Sequence, residues 1–183
     1  MDNFFISKED SVLVIVDIQE RLAVVMSERE KVVSSTLHLI ETARLLSLPI
    51  IVTEQYPKGL GPTVNEIREA LPSCEPIEKL TFSCCGEPDF MTALESTGKR
   101  KLILCGMETH VCVLQTCIGS LRERYVVHAV GDAICSRSKE NYKTGIEFMR
   151  DAGAVITCTE TVLFQLLEKA GTEEFRTIAK RIK

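Results

Sequence analysis

The chain has 183 residues, of which 45% are hydrophobic and 26% are charged, and it carries a formal net charge of −4 at pH 7. A chain of this length typically folds as one domain that buries about 70% of its unfolded surface, so we expect a single domain over residues 1–183. The acidic balance, without a basic run or a stripe of Lys and Arg among aromatic residues, excludes nucleic acid as the expected partner.

Short apolar segments alternate with segments of helical period along the chain. The predicted strands are Ser11–Val16, Pro49–Thr53, a weaker Glu75–Leu80, Lys101–Cys105, Tyr125–Val130 and Ala154–Cys158. The predicted helices are Glu28–Leu46, Pro88–Leu94, Val111–Leu121, Lys139–Met149, Thr161–Leu167 and Thr172–Ile182. Nearly continuous apolar strands are typical of a parallel sheet that is covered on both faces. The alternation therefore predicts an α/β fold, a doubly wound and mainly parallel sheet flanked by helices on both faces in a Rossmann-like three-layer sandwich.

Three reactive side chains lie at the ends of predicted strands. Asp17 follows the first strand, Lys79 ends the weak strand, and Cys112 lies in the segment Gly106–Cys112 that opens a helix. Because ligands of such sheets bind beyond the carboxyl ends of the strands, we predict that these side chains converge there. Each has an ordinary structural explanation as well, since such an Asp is commonly a turn residue, such a Lys is usually solvated, and such a Cys usually packs in the core.

The three groups would suit a cysteine nucleophile. The thiolate is the reactive form, and a free thiol with a pKa of about 8.5 is mostly protonated at neutral pH. We expect the helix N-terminus and the Lys79 ammonium to lower the pKa of Cys112. Asp17 would accept the thiol proton as a general base and return it to the leaving group. Backbone N–H groups of the Gly106–Cys112 turn would face a developing oxyanion.

The other cysteines and the first ten residues indicate the cellular setting. The sequence has eight cysteines but no CxxC pair, so free thiols are expected and a tetrahedral zinc site is not. Residues 1–10 lack the basic and apolar regions of a signal peptide, and the apolar run Val12–Val16 is too short to span a bilayer. We therefore expect a cytoplasmic protein with no membrane partner.

Longer segments resemble one known family. Val14–Gln19 (VIVDIQ) is similar to the opening strand of isochorismatase-like hydrolases, and Gly106–Thr116 resembles their nucleophile segment. Further similar segments are Lys79 with Phe82-Ser83, Asp132-Ala133 with Ser136-Arg137, and Thr53–Pro57, the last resembling one branch of the family. The similarity runs from about Ser11 to Val162 in the family's order.

The resemblance assigns roles to named residues. It implies that Asp17 is the general base, Lys79 its electrostatic partner and Cys112 the nucleophile. It also implies a cis peptide bond between Met107 and Glu108, with the amides of Glu108 and Cys112 forming the oxyanion hole. We further predict a substrate pocket, and the residues expected to line it are Gln19, Tyr56, Phe82 and Leu22. Family members commonly assemble, so we expect a homo-oligomer.

The sequence departs from the metal-binding branch of the family. Nicotinamidases bind a metal through an Asp and two His after the second strand, where this chain has Glu54–Gly59 (EQYPKG). The histidines are His38, His110 and His128, and we interpret His38 and His128 as structural. His110 neighbours Cys112, but the resemblance does not make it the base. We therefore expect no metal and no cofactor.

Four functions are compatible with the sequence. The presence of Cys112 favours covalent hydrolysis of a small-molecule amide or related C–N bond. Isochorismatase-type cleavage of a vinyl ether proceeds by substrate protonation and needs no thiol nucleophile. A metal-dependent amidase is the third candidate, and a non-catalytic, redox-responsive oligomeric module is the fourth.

Overall fold

The computed structural model describes residues 2–181, and its strands form one sheet. The strands are β1 (Ser11–Val16), β2 (Ile50–Gln55), β3 (Ile77–Lys79), β4 (Lys101–Met107), β5 (Val126–Cys135) and β6 (Val155–Thr157). They lie in the order β3-β2-β1-β4-β5-β6, and every neighbouring pair is parallel. The predicted parallel α/β sheet is therefore confirmed.

Helices cover the sheet on both faces. They are α1 (Glu20–Ala23), α2 (Arg29–Leu45), α3 (Pro57–Leu60), α4 (Asn65–Ala70), α5 (Pro88–Ser96), α6 (Leu114–Arg122), α7 (Lys139–Asp151), α8 (Thr159–Leu167) and α9 (Glu173–Ala179). Because the crossovers are right-handed, α2 lies on one face, where it also packs against α8, and α6 and α7 lie on the other. None of the helices within residues 2–181 is long and apolar enough to cross a membrane.

The two central strands place the site. Every residue of β1 and β4 is buried, as expected for strands covered on both faces. The order of the chain reverses between them, because β2 and β3 extend to one side of β1 while β5 and β6 extend to the other side of β4. Such a reversal opens the crevice in which α/β sheets bind ligands.

A glycine brings the two central strands unusually close at their carboxyl ends. Gly106 in β4 has a φ of 132°, and a Cβ added there would lie 2.0 Å from the Val16 carbonyl oxygen. Only glycine tolerates both the backbone conformation and this approach. The turn that follows β4, which carries Cys112, therefore starts directly beside Asp17.

The predicted boundaries differ from the structure in a few places. β5 continues to Cys135 instead of ending at Val130, because Gly131 and Asp132 stay in the strand. The short helices α1, α3 and α4 were not predicted, since four to six residues give too few turns for a helical period to emerge. The predicted C-terminal helix begins at Glu173, and its predicted last residue, Ile182, lies outside the described residues.

Candidate active site

Asp17, Lys79 and Cys112 meet at the carboxyl edge of the sheet. The Lys79 ammonium nitrogen is 2.7 Å from Asp17 Oδ2. The Cys112 thiol is near enough for both charges to act on its pKa. The three residues are 0%, 2% and 6% exposed, respectively, so the cluster is almost dry.

Oxygen acceptors surround the Lys79 ammonium. It donates to Gln55 Oε1 at 2.7 Å and to the carbonyl oxygens of Thr81 and Phe82 at 3.2 Å each, in addition to its ion pair with Asp17. An ammonium has three N–H donors, so these four oxygens use all of them. Burial alone would lower the pKa of Lys79, but the Asp17 charge raises it above its ordinary value. Lys79 is therefore a fixed positive charge that has no N–H left for a substrate.

The Cys112 thiol is protonated in the resting site. Burial, followed by the negative charge of Asp17, raises the pKa of Cys112 to about 12, and the Lys79 ammonium opposes this only partly. This is opposite to the lowered pKa expected from the sequence. The helix N-terminus was also misplaced, because α6 begins at Leu114 and Cys112 lies in the preceding π-helical turn, Thr109–Val113. A neutral thiol becomes reactive only when a base removes its proton, and the Asp17 carboxylate is close enough to act on its pKa.

Two residues that sequence analysis missed complete the cluster on the side of Asp17. The Thr53 hydroxyl donates to Asp17 Oδ1 at 2.8 Å, and Cys84 Sγ lies 3.7 Å from that hydroxyl oxygen. Burial and the Asp17 charge raise the pKa of Cys84 to about 12, so it is a neutral thiol. Thr53 ends a predicted strand, and applying the strand-end rule to hydroxyls as well as charges would have identified it.

The residues predicted to line the pocket have different surroundings. Gln19 is fully buried, and its amide binds the backbone N–H and carbonyl of Gln55 and the carbonyl of Gly61 at 2.7–3.0 Å. Tyr56 and Phe82 are 51% and 53% exposed, whereas Leu22 packs partly buried against the core. A cavity of about 400 Å³ lies beside Lys79, lined by Tyr56, Pro57, Lys58, Glu78, Lys79, Leu80 and Glu87. Substrate binding by these residues stays a prediction.

The turn before Cys112 has the predicted backbone. The peptide bond between Met107 and Glu108 is cis. The Glu108 carboxylate accepts hydrogen bonds from the backbone N–H of Arg137 at 3.0 Å and from its Nε at 3.1 Å. This pair ties the turn to the end of β5. The oxyanion role of the Glu108 and Cys112 amides stays a prediction.

The histidines have structural partners. His110 Nε2 lies 3.2 Å from Asn141 Nδ2, and its Nδ1 lies 2.9 Å from Ser136 Oγ. His128 is buried, which lowers its pKa, and its Nε2 lies 3.0 Å from the Asn3 carbonyl oxygen. Within residues 2–181, no three His, Cys, Asp or Glu side chains are grouped so that they could hold a metal ion.

Known proteins that are similar to this chain share one type of domain with it. A model of the isochorismatase domain matches residues 11–161. A secreted isochorismatase effector, Isc1 of Phytophthora sojae, is 38% identical over 177 residues, covering 94% of this chain and 84% of the relative. The MAR1 ribonuclease structure from Caenorhabditis elegans is 38% identical with a TM-score of 0.90, covering 97% of this chain and 92% of that one. The YcaC gene product of Escherichia coli, an octameric hydrolase of unknown specificity, is 26% identical with a TM-score of 0.90 over 97% and 90% of the two chains.

The buried ion pair predicts strong coupling between its two residues. Lys79→Met leaves an uncompensated carboxylate in a dry site and should lower the free energy of unfolding by about 3–5 kcal/mol. The double variant Asp17→Asn with Lys79→Met buries no charge and should recover at least about 1 kcal/mol of that loss. Urea unfolding of both single variants and the double variant measures this cycle, and strictly additive losses would contradict the coupling.

Proposed function

The chain belongs to the isochorismatase family of hydrolases, and we propose that it cleaves a small-molecule amide or related C–N bond through Cys112. The observation that carries this proposal is the dry cluster of a neutral thiol, a carboxylate and a saturated ammonium. A protonated thiol beside a carboxylate needs only one proton transfer to become a nucleophile. Asp17 Oδ2 lies 2.7 Å from the Lys79 ammonium nitrogen, and a carboxylate oxygen has more than one lone pair, so Oδ2 keeps capacity to accept that proton.

The reaction would proceed in two halves. Asp17 takes the thiol proton as the Cys112 sulfur bonds to the carbonyl carbon, and the C=O π electrons move to oxygen. The oxyanion collapses, the C–N bond breaks, and the departing amine takes the proton from Asp17. Water then attacks the thioester with Asp17 again as base, and the acid leaves as the C–S bond breaks and the thiol is re-protonated. The Glu108 and Cys112 amides would stabilise both oxyanions, while Lys79 keeps Asp17 in place.

The competing functions have less support from the site. The metal-dependent amidase has less support because the loop after the second strand carries Gln55 in the region where the metal-binding branch has its ligands. The Gln55 side-chain amide already bonds the Lys79 ammonium and the Leu80 carbonyl. A net charge of −4 favours a small molecule over RNA as substrate, although one structural neighbour is named a ribonuclease. Vinyl ether cleavage would use the same Asp17 but leave Cys112 without a role.

Selective alkylation tests the activation of Cys112. Cys105 and Cys117 also have a pKa raised to about 12, mainly by burial, and no carboxylate contributes to either shift, so they are internal controls. At pH 7.5, iodoacetamide should modify Cys112 at least about tenfold faster than these two, because general-base assistance is worth at least that factor. Peptide mass spectrometry over time gives each rate.

The matched variant is Asp17→Asn, which keeps the shape of the side chain but cannot take a proton. It should slow alkylation of Cys112 to the rate of the buried controls. An equal Cys112 rate in wild type and Asp17→Asn would refute the proposed base. Cys158 is exposed, and it should react readily in both proteins.

Turnover tests the covalent mechanism. Among small amides, ureides and vinyl ethers, we expect the purified protein to hydrolyse members of the first two classes. Cys112→Ala should lower amide turnover by about 10³-fold or more, since the nucleophile acts as a unit with its base. Cys117→Ala is the control and should keep wild-type turnover. Vinyl ether cleavage that survives Cys112→Ala would support the isochorismatase-type reaction instead.

We also propose that the protein is a cytoplasmic homo-oligomer. Val24, Val25, Leu80 and Phe82 are each more than half exposed, and exposed apolar groups of this kind favour association. The octameric YcaC neighbour supports the same assignment. Size-exclusion chromatography with light scattering should give a mass that is a multiple of 20.4 kDa. A monomeric mass at micromolar concentration would contradict the proposal.

A further inference from the structure

We propose that Thr53 and Gln55, two alternate residues of β2, are positioning residues that hold Asp17 and Lys79 in register with the nucleophile. This inference rests on the proposed function and adds two members to its machinery. The side-chain hydrogen bonds of these two residues go to Asp17, Cys84, Lys79 and Leu80. Each holds one member of the ion pair, and β2 lies between the strands from which Asp17 and Lys79 extend.

The sheet register places both residues directly beside their partners. Thr53 pairs with Val16, the residue before Asp17, and Gln55 pairs with Lys79 itself. Residues two apart on a strand face the same side, so both side chains reach the same cluster. Thr53 Oγ1 is 2.8 Å from Asp17 Oδ1, and Gln55 Oε1 is 2.7 Å from the Lys79 ammonium. Side chains of a single strand thus form hydrogen bonds to both charged groups of the ion pair.

The orientation of each positioning side chain is determined by its other bonds. The Thr53 hydroxyl has one proton, which goes to Asp17, so the Cys84 thiol lies on its acceptor side and can only donate. Gln55 Nε2 donates to the Leu80 carbonyl at 2.9 Å, which leaves Oε1 facing Lys79. The Gln19 amide holds the Gln55 backbone N–H and carbonyl. Neither residue can turn its dipole around without losing a buried hydrogen bond.

This arrangement determines which oxygen of Asp17 acts as the base. Thr53 occupies Oδ1, and Lys79, held by Gln55, lies against Oδ2. Without the hydroxyl, the carboxylate can rotate about its Cβ–Cγ bond, and Oδ2 no longer has a fixed position. Without the Gln55 oxygen, the ammonium can shift toward the Thr81 and Phe82 carbonyls and away from Asp17. Either change moves the base relative to the sulfur.

The experiment measures iodoacetamide alkylation of Cys112 in variants that remove one contact each. Thr53→Val replaces the hydroxyl by a methyl of similar size and should slow alkylation between about 10- and 100-fold, the usual effect of a misplaced catalytic group. Thr53→Ser restores the hydroxyl and should stay within about twofold of wild type. Gln55→Met removes the oxygen that faces Lys79 and should slow the reaction as Thr53→Val does.

Matched controls separate positioning from general loss of packing. Thr42 is another fully buried threonine, and its hydroxyl donates to the His38 carbonyl, so Thr42→Val makes the same chemical change away from the site. We expect it to leave the Cys112 rate unchanged. If Thr53→Val does not fold, the Gln55→Met and Thr53→Ser measurements decide the question, since the former must be slow and the latter fast.

Two failures can be told apart. A wild-type Cys112 rate no faster than that of Cys117 contradicts the proposed function, and the positioning roles fail with it. A fast wild-type rate that Thr53→Val and Gln55→Met leave unchanged overturns the positioning roles alone. A rate that Thr53→Ser lowers as much as Thr53→Val also overturns the role of the hydroxyl, because the loss would then come from packing.

Discussion

The buried ion pair between Asp17 and Lys79 is the interaction on which the site depends. Removing two charges from water costs several kcal/mol per ion, and their attraction offsets this only when the remaining valences are filled. Here most of them are filled, since the Thr53 hydroxyl bonds Oδ1 of the carboxylate, and Gln55 and two backbone carbonyls bond the ammonium. The adjacency of β3, β2 and β1 makes this possible, because it places the acid, its partner and the connecting residues on three neighbouring strands.

The same ion pair explains why the pKa of the Cys112 thiol is raised and not lowered. A lone ammonium in a dry site would favour the thiolate, but the Lys79 charge is largely compensated by Asp17 at 2.7 Å. Burial then dominates, and the pKa of both Cys112 and Cys84 rises to about 12. In the proposed mechanism, the cluster would therefore activate a thiol by placing a base beside it, and not by ionising it in advance. The resemblance assigns the nucleophile to Cys112, which leaves Cys84 as a neutral neighbour of the same ion pair in that proposal.

Sequence patterns predicted the parts of the site that depend on strand ends. The apolar runs were long enough to define β1 and β4, so the positions of Asp17 and Cys112 followed from the α/β fold. The Thr53 contact depends on the register between β1 and β2, and the Gln55 contact depends on the register between β2 and β3. The weak period of Glu75–Leu80 does not specify the second of these registers. The direction of the pKa shift of Cys112 was predicted wrongly, because burial is the largest cause of the shift and the sequence does not show how deeply the thiol is buried.

Under the proposed function, we expect substrate recognition to come from outside the cluster of Asp17, Lys79 and Cys112. The N–H donors of Lys79 are bonded within the protein, and the Thr53 hydroxyl donates its proton to Asp17. Both the oxygen and the nitrogen of the Gln55 amide are also bonded. These groups therefore have few free donors or acceptors for a substrate. The segment that follows β2 is bonded to the rest of the site at Gly61 and Thr63. Glu54 Oε1 accepts a hydrogen bond from the Thr63 N–H at 2.6 Å, and Gln19 Nε2 donates to the Gly61 carbonyl. Tyr56 lies on this loop and is half exposed. We therefore expect differences in substrate selectivity among such domains to arise in this loop, because the donors of the cluster are already bonded within the protein.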